Sequence, residues 1–212
     1  MSHREKPNVS VLISGPSRTG KTSAANILAD RYGIENVKIG EKFREKYGIH
    51  TSHHVERDPD FDRQMDDMQA EMISKATSDE PFILEARLAA FLASQERVKG
   101  DLPIVTILLW APEEERMERQ LRKVMRDDPE STVTIDELLD GERKREAYDQ
   151  AQWRLVHPEI DDKNVFDPQL TDTSGSPVYD LVVDTRVGMP DAVADVIHDW
   201  LVQRGAFGDH DE

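Results

Sequence analysis

The residues Gly15-Pro16-Ser17-Arg18-Thr19-Gly20-Lys21-Thr22 follow directly on the apolar run 9–14. A glycine, four free positions, then Gly-Lys-Thr is the pattern of a loop that wraps an anion between a strand and a helix. Each fixed position has a physical reason. The glycines allow close backbone approach and torsions that a side chain would resist. Successive backbone N–H groups and the positive end of a helix starting near Lys21 form a cradle for phosphate oxygens. Lys21 is expected to reach the β- and γ-phosphates of a nucleoside triphosphate, and Thr22 to place its hydroxyl on Mg²⁺. The whole loop, Gly15, Ser17, Arg18, Thr19, Gly20, Lys21, Thr22 and Ser23, is the expected ATP phosphate-binding segment.

This motif constrains the rest of the chain, because it needs a buried strand before it and a helix after it. Further apolar runs that suit strands recur at 37–39, 82–84, 104–110 and 179–183, with helical spacing between them. Strands that alternate with helices pair in parallel and are covered on both faces. The expected fold is α/β, a three-layer P-loop NTPase fold with a five-stranded parallel sheet. The first helix is expected from Lys21 to Arg31, with Ala24, Ile27 and Leu28 inward and Gly33 as a left-handed cap. Asp58-Pro59 opens a charged helix in which Met65, Met68 and Met72 form an apolar stripe. Pro112 and the three glutamates after it start another, on which Arg116, Arg119, Arg122 and Arg126 share one face. The stretch 127–178 interrupts the alternation and is highly charged. It reads as a helical flap and a long loop outside the core.

At 212 residues the chain suits one domain, 1–212, with 40–78 as an insertion and 127–178 as lid and loop. It has no cysteine, which excludes disulfides and thiolate chemistry. A net charge of -16 opposes attachment to nucleic acid or anionic lipid. There is no run near the ~20 apolar residues of a membrane span, and the N-terminus is too polar for a secretory signal. These features lead to the expectation of a cytoplasmic protein, a monomer with no nucleic-acid or membrane partner. Small anionic ligands then require a local basic pocket.

Beyond the loop, the chain carries Gly40-Glu41-Lys42-Phe43-Arg44-Glu45, Asp58-Pro59-Asp60-Phe61-Asp62-Arg63, Glu85-Ala86-Arg87-Leu88, and Ala111-Pro112 followed by Arg116 and Arg119. In this order, and over nearly the whole length, these elements resemble the short, archaeal-type cytidylate kinases. The resemblance implies γ-phosphoryl transfer from ATP to CMP or dCMP, with Mg²⁺ as cofactor. It assigns Arg44 and Arg87 to the acceptor phosphate, a role that suits a planar guanidinium, and puts Asp62 and Arg63 in the acceptor-binding insertion. Glu85 falls where an acid holds Mg²⁺ through water, with Asp184, at another strand end, as a competitor. Arg143, Arg145 and Arg154 resemble lid arginines that close over the transferring group, and Arg116 and Arg119 lie on the donor side. For each of these side chains an ordinary surface ion pair is the competing reading.

Ile39 departs from the small or hydroxyl residue common in the family's nucleotide pocket, which leaves the acceptor base open. The segment 148–178 is longer than the family suggests. His50, His53 and His54, beside Glu56 and Asp58, form a weak candidate metal cluster. Two other functions fit the same loop: a P-loop kinase for another small metabolite, and a regulatory protein that uses ATP to order its flap.

Overall fold

The computed structural model describes residues 5–47 and 58–207. A five-stranded sheet runs through the middle of the molecule. Its strands are β1 (Ser10–Ser14), β2 (Glu35–Lys38), β3 (Phe82–Glu85), β4 (Ile104–Trp110) and β5 (Leu181–Asp184), in spatial order β2-β3-β1-β4-β5 with every pair parallel. The order puts β1 in the centre, so the loop that leaves it opens between the ends of β3 and β4. Crevices of this kind, outside the carboxyl ends of parallel strands, are where α/β sheets hold ligands.

The central strand is buried throughout, but its side chains still alternate between two cores. Val11 and Ile13 face a cluster built with Ala24, Ala25 and Leu28 of α1 (Lys21–Tyr32) and with Val193, Ile197 and Leu201 of α7 (Pro190–Gln203). Leu12 faces the opposite way, with Leu84 and Leu108, onto Ala89, Ala90 and Ala93 of α4 (Ala89–Arg97) and Ile73 of α3 (Pro59–Ser74). Small residues on α1 and α4 let the helices lie close to the sheet. Gly33 ends α1 in the left-handed conformation at φ 65°, its N–H donating to the Ala29 carbonyl. Asp58 caps α3, accepting from the Asp60 N–H, with Pro59 in the first turn.

Among the described residues, two helices stand between β2 and β3: α2 (Ile39–Tyr47) and α3. Phe43 meets Phe61 edge-on at 5.2 Å between centroids, and the Lys46 ammonium lies 3.1 Å from Asp58, joining the pair into one unit. Met68 of the methionine stripe packs against the core and Ile73 is fully buried, whereas Met65 and Met72 are half-buried. Ile39 is buried in the same core. After β4 come α5 (Glu113–Asp127) and α6 (Ile135–Val156), which pack on each other; α6 starts with a reciprocal capping box between Thr134 and Glu137.

The expectation that 127–178 stays outside the core is corrected in part. Trp153, Ile160, Val165, Phe166, Leu170 and Val178 are all buried in the same cluster as Leu12 and Leu84. The chain from the end of α6 to β5 covers one face of the sheet as an irregular lining. Its apolar residues are spaced among turns at Pro158, Asp167 and Asp172, so they carry no helical or strand period. No helix among the described residues is long and apolar enough to cross a membrane.

Candidate active site

At the end of β1 the backbone turns sharply through Gly15, at φ 145°. A Cβ there would lie 2.2 Å from the Leu109 carbonyl oxygen of β4, so this glycine is required by close approach of two backbones. Gly20, at φ 84°, caps α1, and Arg18 also takes a positive φ, of 65°. The loop is held in shape by its own Pro16 carbonyl, which accepts from the Thr19 hydroxyl at 3.0 Å and from the Lys21 ammonium at 2.8 Å. A loop so held, leading into the first turn of α1, is an arrangement that can offer backbone N–H groups to an anion.

Lys21 is the most perturbed base of the site. Burial lowers its pKa first, and Arg87 and Arg145 add repulsion that Glu85 and Glu142 only partly oppose, so the ammonium is pushed down to about 7. Arg18 is also held below its usual value, chiefly by burial and next by Arg145. Such depression signals cations gathered for an anion.

Beside the loop, Ile13 is paired with Glu85 at the end of β3, and the Thr22 hydroxyl donates to the Glu85 carboxylate at 2.7 Å. A hydroxyl and a carboxylate next to a phosphate cradle are the hard oxygen donors that Mg²⁺ takes. Asp184, the competing acid, ends β5 two strands from β1. It is bound through both oxygens to Arg186 and caps the short 3-10 turn Thr185–Val187.

Arg87, two residues past β3, pairs with Asp149 of α6 and lies over the rings of Trp153 and Phe166, with its guanidinium carbon 5.3 and 5.1 Å from their centroids. Arg145 approaches the same Asp149 at 3.8 Å. Arg116 of α5 is buried; its Nη1 lies 3.3 Å from the Ser17 carbonyl of the loop, 3.2 Å from Glu142 and 3.1 Å from Glu146. Burial works to raise the Glu142 carboxyl, but Arg145, Arg87 and Arg116 outweigh it and hold the group below its ordinary range. Glu146 goes the other way, raised by burial against the pull of Arg116. Lys21, Arg18, Arg87, Arg116 and Arg145 thus converge from four segments on one end of the sheet.

On the other side of the loop an open cleft of about 730 Å³ is lined by Arg18, Ser23, Arg119, Thr185, Gly188 and Met189, among others. Arg119 is clamped at its rim: Nε donates to Glu115 at 2.9 Å, Nη1 to the Thr185 hydroxyl at 2.8 Å and Nη2 to the Thr185 carbonyl at 3.0 Å. The edges of the guanidinium are occupied and it is fixed in one orientation.

On the insertion, Arg44 is half-exposed, 3.9 Å from Glu41, and close enough to Arg18 to lower its pKa. Asp62 is buried and Arg63 exposed. Two of the expected lid arginines are engaged elsewhere. Arg143 makes a two-pronged pair with Glu113 on the exposed side of α5, its Nη2 at 2.8 Å, and Arg154 lies 3.6 Å from Asp162. They project from α6 at other angles than Arg145, since residues 143 and 145 are two apart on a helix and cannot share a face. The histidines of the candidate metal cluster lie outside the described residues, and the described residues hold no group of three metal-binding side chains. Glu142, Asp149 and Thr185 belong to the site without having been singled out by sequence. For Glu142 and Asp149 the available signal was a seven-residue step along α6, which returns to nearly the same face.

Residues 14–137 match the AAA domain family. The cytidylate kinase of Methanopyrus kandleri is 35% identical, over 84% of this chain and 85% of its own length, and that of Methanocaldococcus jannaschii is 29% identical over 82% and 87%. Among solved structures, a shikimate kinase from Acinetobacter baumannii aligns with TM-score 0.54 at 14% identity, over 96% of this chain and 97% of its own. A gluconokinase from Sinorhizobium meliloti also aligns at 0.54 and 14%, over 94% of each chain. These two matches show the P-loop kinase fold. With the loop, the acid beside it and the converging arginines in place, and with homology spanning most of both chains, the protein belongs to the cytidylate kinase family.

Proposed function

We propose that this protein transfers the γ-phosphoryl group of ATP to a nucleoside monophosphate, CMP or dCMP, with Mg²⁺. The observation that carries the reading is the convergence of Lys21, Arg18, Arg87, Arg116 and Arg145 on one loop of a chain whose net charge is -16. A cationic pocket in an otherwise acidic protein focuses small, highly charged anions and repels polymeric ones. The names of the relatives supply the base, cytosine.

Each residue has a role that follows from its position. The loop N–H groups and Lys21 hold the β- and γ-phosphates, and the cleft beside Arg119 takes the donor base. Arg87, backed by Trp153 and Phe166, grips the acceptor phosphate, with Arg44 approaching from α2; an incoming dianion competes with Asp149 for the Arg87 guanidinium. Thr22, and Glu85 through water, would hold Mg²⁺, which would supply charge neutralisation for the phosphates. Arg145, on α6, is the lid arginine of this chain. Phosphoryl transfer asks for in-line placement, charge neutralisation and exclusion of water, and these groups supply all three.

The test is ADP formation from MgATP with CMP, dCMP, UMP, AMP and GMP offered separately, and Lys21→Ala as the blank. Stimulation by CMP or dCMP is expected. Stimulation by a different acceptor, shikimate or gluconate included, would reassign the substrate. No acceptor-dependent turnover with tight ATP binding would instead favour a regulatory protein.

A further inference from the structure

Helix α6 carries an anion into the cation cluster at the phosphate loop. Glu142 is buried, and its Oε1 lies 3.2 Å from the Arg116 guanidinium, whose Nη1 is itself 3.3 Å from the Ser17 carbonyl. One guanidinium thus joins the carboxylate to the loop backbone. The charges of Arg145 and Arg87 attract Glu142 as well. In return the Glu142 charge acts on Arg18 and Lys21. A buried carboxylate persists only where charge partners compensate its lost hydration. Here the partners are the groups that phosphates would use.

We infer that Glu142 is a built-in counter-ion of the phosphate site, which neutralises Arg116 and opposes the field of the neighbouring arginines in the free protein, and thereby weakens polyphosphate binding. It is a positioning residue, acting through the arginines it partners. The inference rests on the loop being a polyphosphate site, but not on the identity of the acceptor. An anion brought into the cluster must share these guanidiniums with Glu142 and is repelled by it across a few ångströms of low-dielectric interior. One unit charge at such range is worth about tenfold or more in affinity.

Binding of inorganic tripolyphosphate, followed by calorimetry in the presence of Mg²⁺, isolates this effect because the probe has neither base nor acceptor. Glu142→Gln keeps the shape and removes the charge; it is expected to tighten tripolyphosphate about tenfold and to make binding more salt-sensitive. Glu146→Gln is the control. Glu146 shares Arg116 at 3.1 Å but its side chain is 28% exposed against 9% for Glu142, so solvent screens its charge and its replacement is expected to tighten binding clearly less than Glu142→Gln does. Loss of structure cannot produce tighter binding, so a tightening specific to Glu142 separates the proposal from a purely structural role. Unchanged or weaker binding by Glu142→Gln overturns it, and equal tightening by both variants overturns it too, as a general charge effect. If Glu142→Gln does not fold, Glu142→Asp decides: the shorter side chain draws the charge back from Arg116 and is expected to tighten binding about twofold, and weakening refutes the proposal. Absence of binding to the native protein would remove the polyphosphate site itself. Failure of the five nucleotides as acceptors would leave this result standing.

Discussion

The depressed pKa of Lys21 predicts that the protein takes up a proton when it binds a polyphosphate. In the protein alone the ammonium is pushed down to about 7, so at pH 8 only about one lysine in ten is charged. A bound triphosphate puts negative oxygens against Nζ and restores the charged form. The ligand itself contributes little at pH 8, because phosphate groups lose their second proton near pH 6. The expected uptake is about 0.9 proton per site at pH 8; at pH 6 the lysine takes up only about 0.1 and the half-protonated phosphate offsets it, so no net uptake remains there, and affinity should fall about tenfold per unit from pH 8 upward. Calorimetry with MgATP in two buffers of different ionisation enthalpy reads this number directly, and Lys21→Met should abolish it. The same depression affects folding. Between about pH 7 and the unfolded value near 10.4 the unfolded chain binds the extra proton, so stability rises with pH relative to Lys21→Met. Uptake below about 0.2 proton at pH 8, or equal uptake at pH 6 and 8, would mean that Lys21 is charged in the free protein and that burial does not control it.

Three further outcomes follow from the geometry. Gly15→Ala places a Cβ 2.2 Å from the Leu109 carbonyl, so the loop must move off the sheet; ATP binding should fall more than about 100-fold, read by calorimetry, with a stability loss of about 2–4 kcal/mol in urea. Arg87→Lys keeps the charge but loses the planar fork, and steady-state kinetics should show the acceptor KM rising about tenfold with the ATP KM within about twofold. Trp153→Ala should cost about 3–5 kcal/mol in urea unfolding, because the ring is buried in the main core; a loss under about 1 kcal/mol would mean the 153–179 lining is not structural.

The parts of the fold visible in the sequence were those governed by local rules. The run 9–14, the glycines of the loop, the Gly33 cap and Asp58-Pro59 each act within a few residues, and each stands where expected. The acid beside the loop was legible through the family resemblance, and its bond to Thr22 agrees with it. What depends on distant partners was not legible. Ile160, Val165 and Phe166 sit in an irregular segment whose burial is decided by the sheet face beneath it. Arg143, Arg145 and Arg154 look alike in sequence, but Glu113 and Asp162 engage the first and last, whereas Asp149 draws Arg145 beside Arg87. Glu142 is ordinary as a letter in a charged helix. It becomes informative only beside Arg116 and Ser17.

The central claim is that the γ-phosphoryl group moves from ATP in this loop to a monophosphate held by Arg87. The most direct measurement is transfer of labelled γ-phosphate from ATP to CMP, with the product separated and identified. Label appearing in CDP with the native protein, and none with Lys21→Ala, is the predicted result. Label recovered solely as inorganic phosphate, at a rate that CMP does not alter, would contradict it.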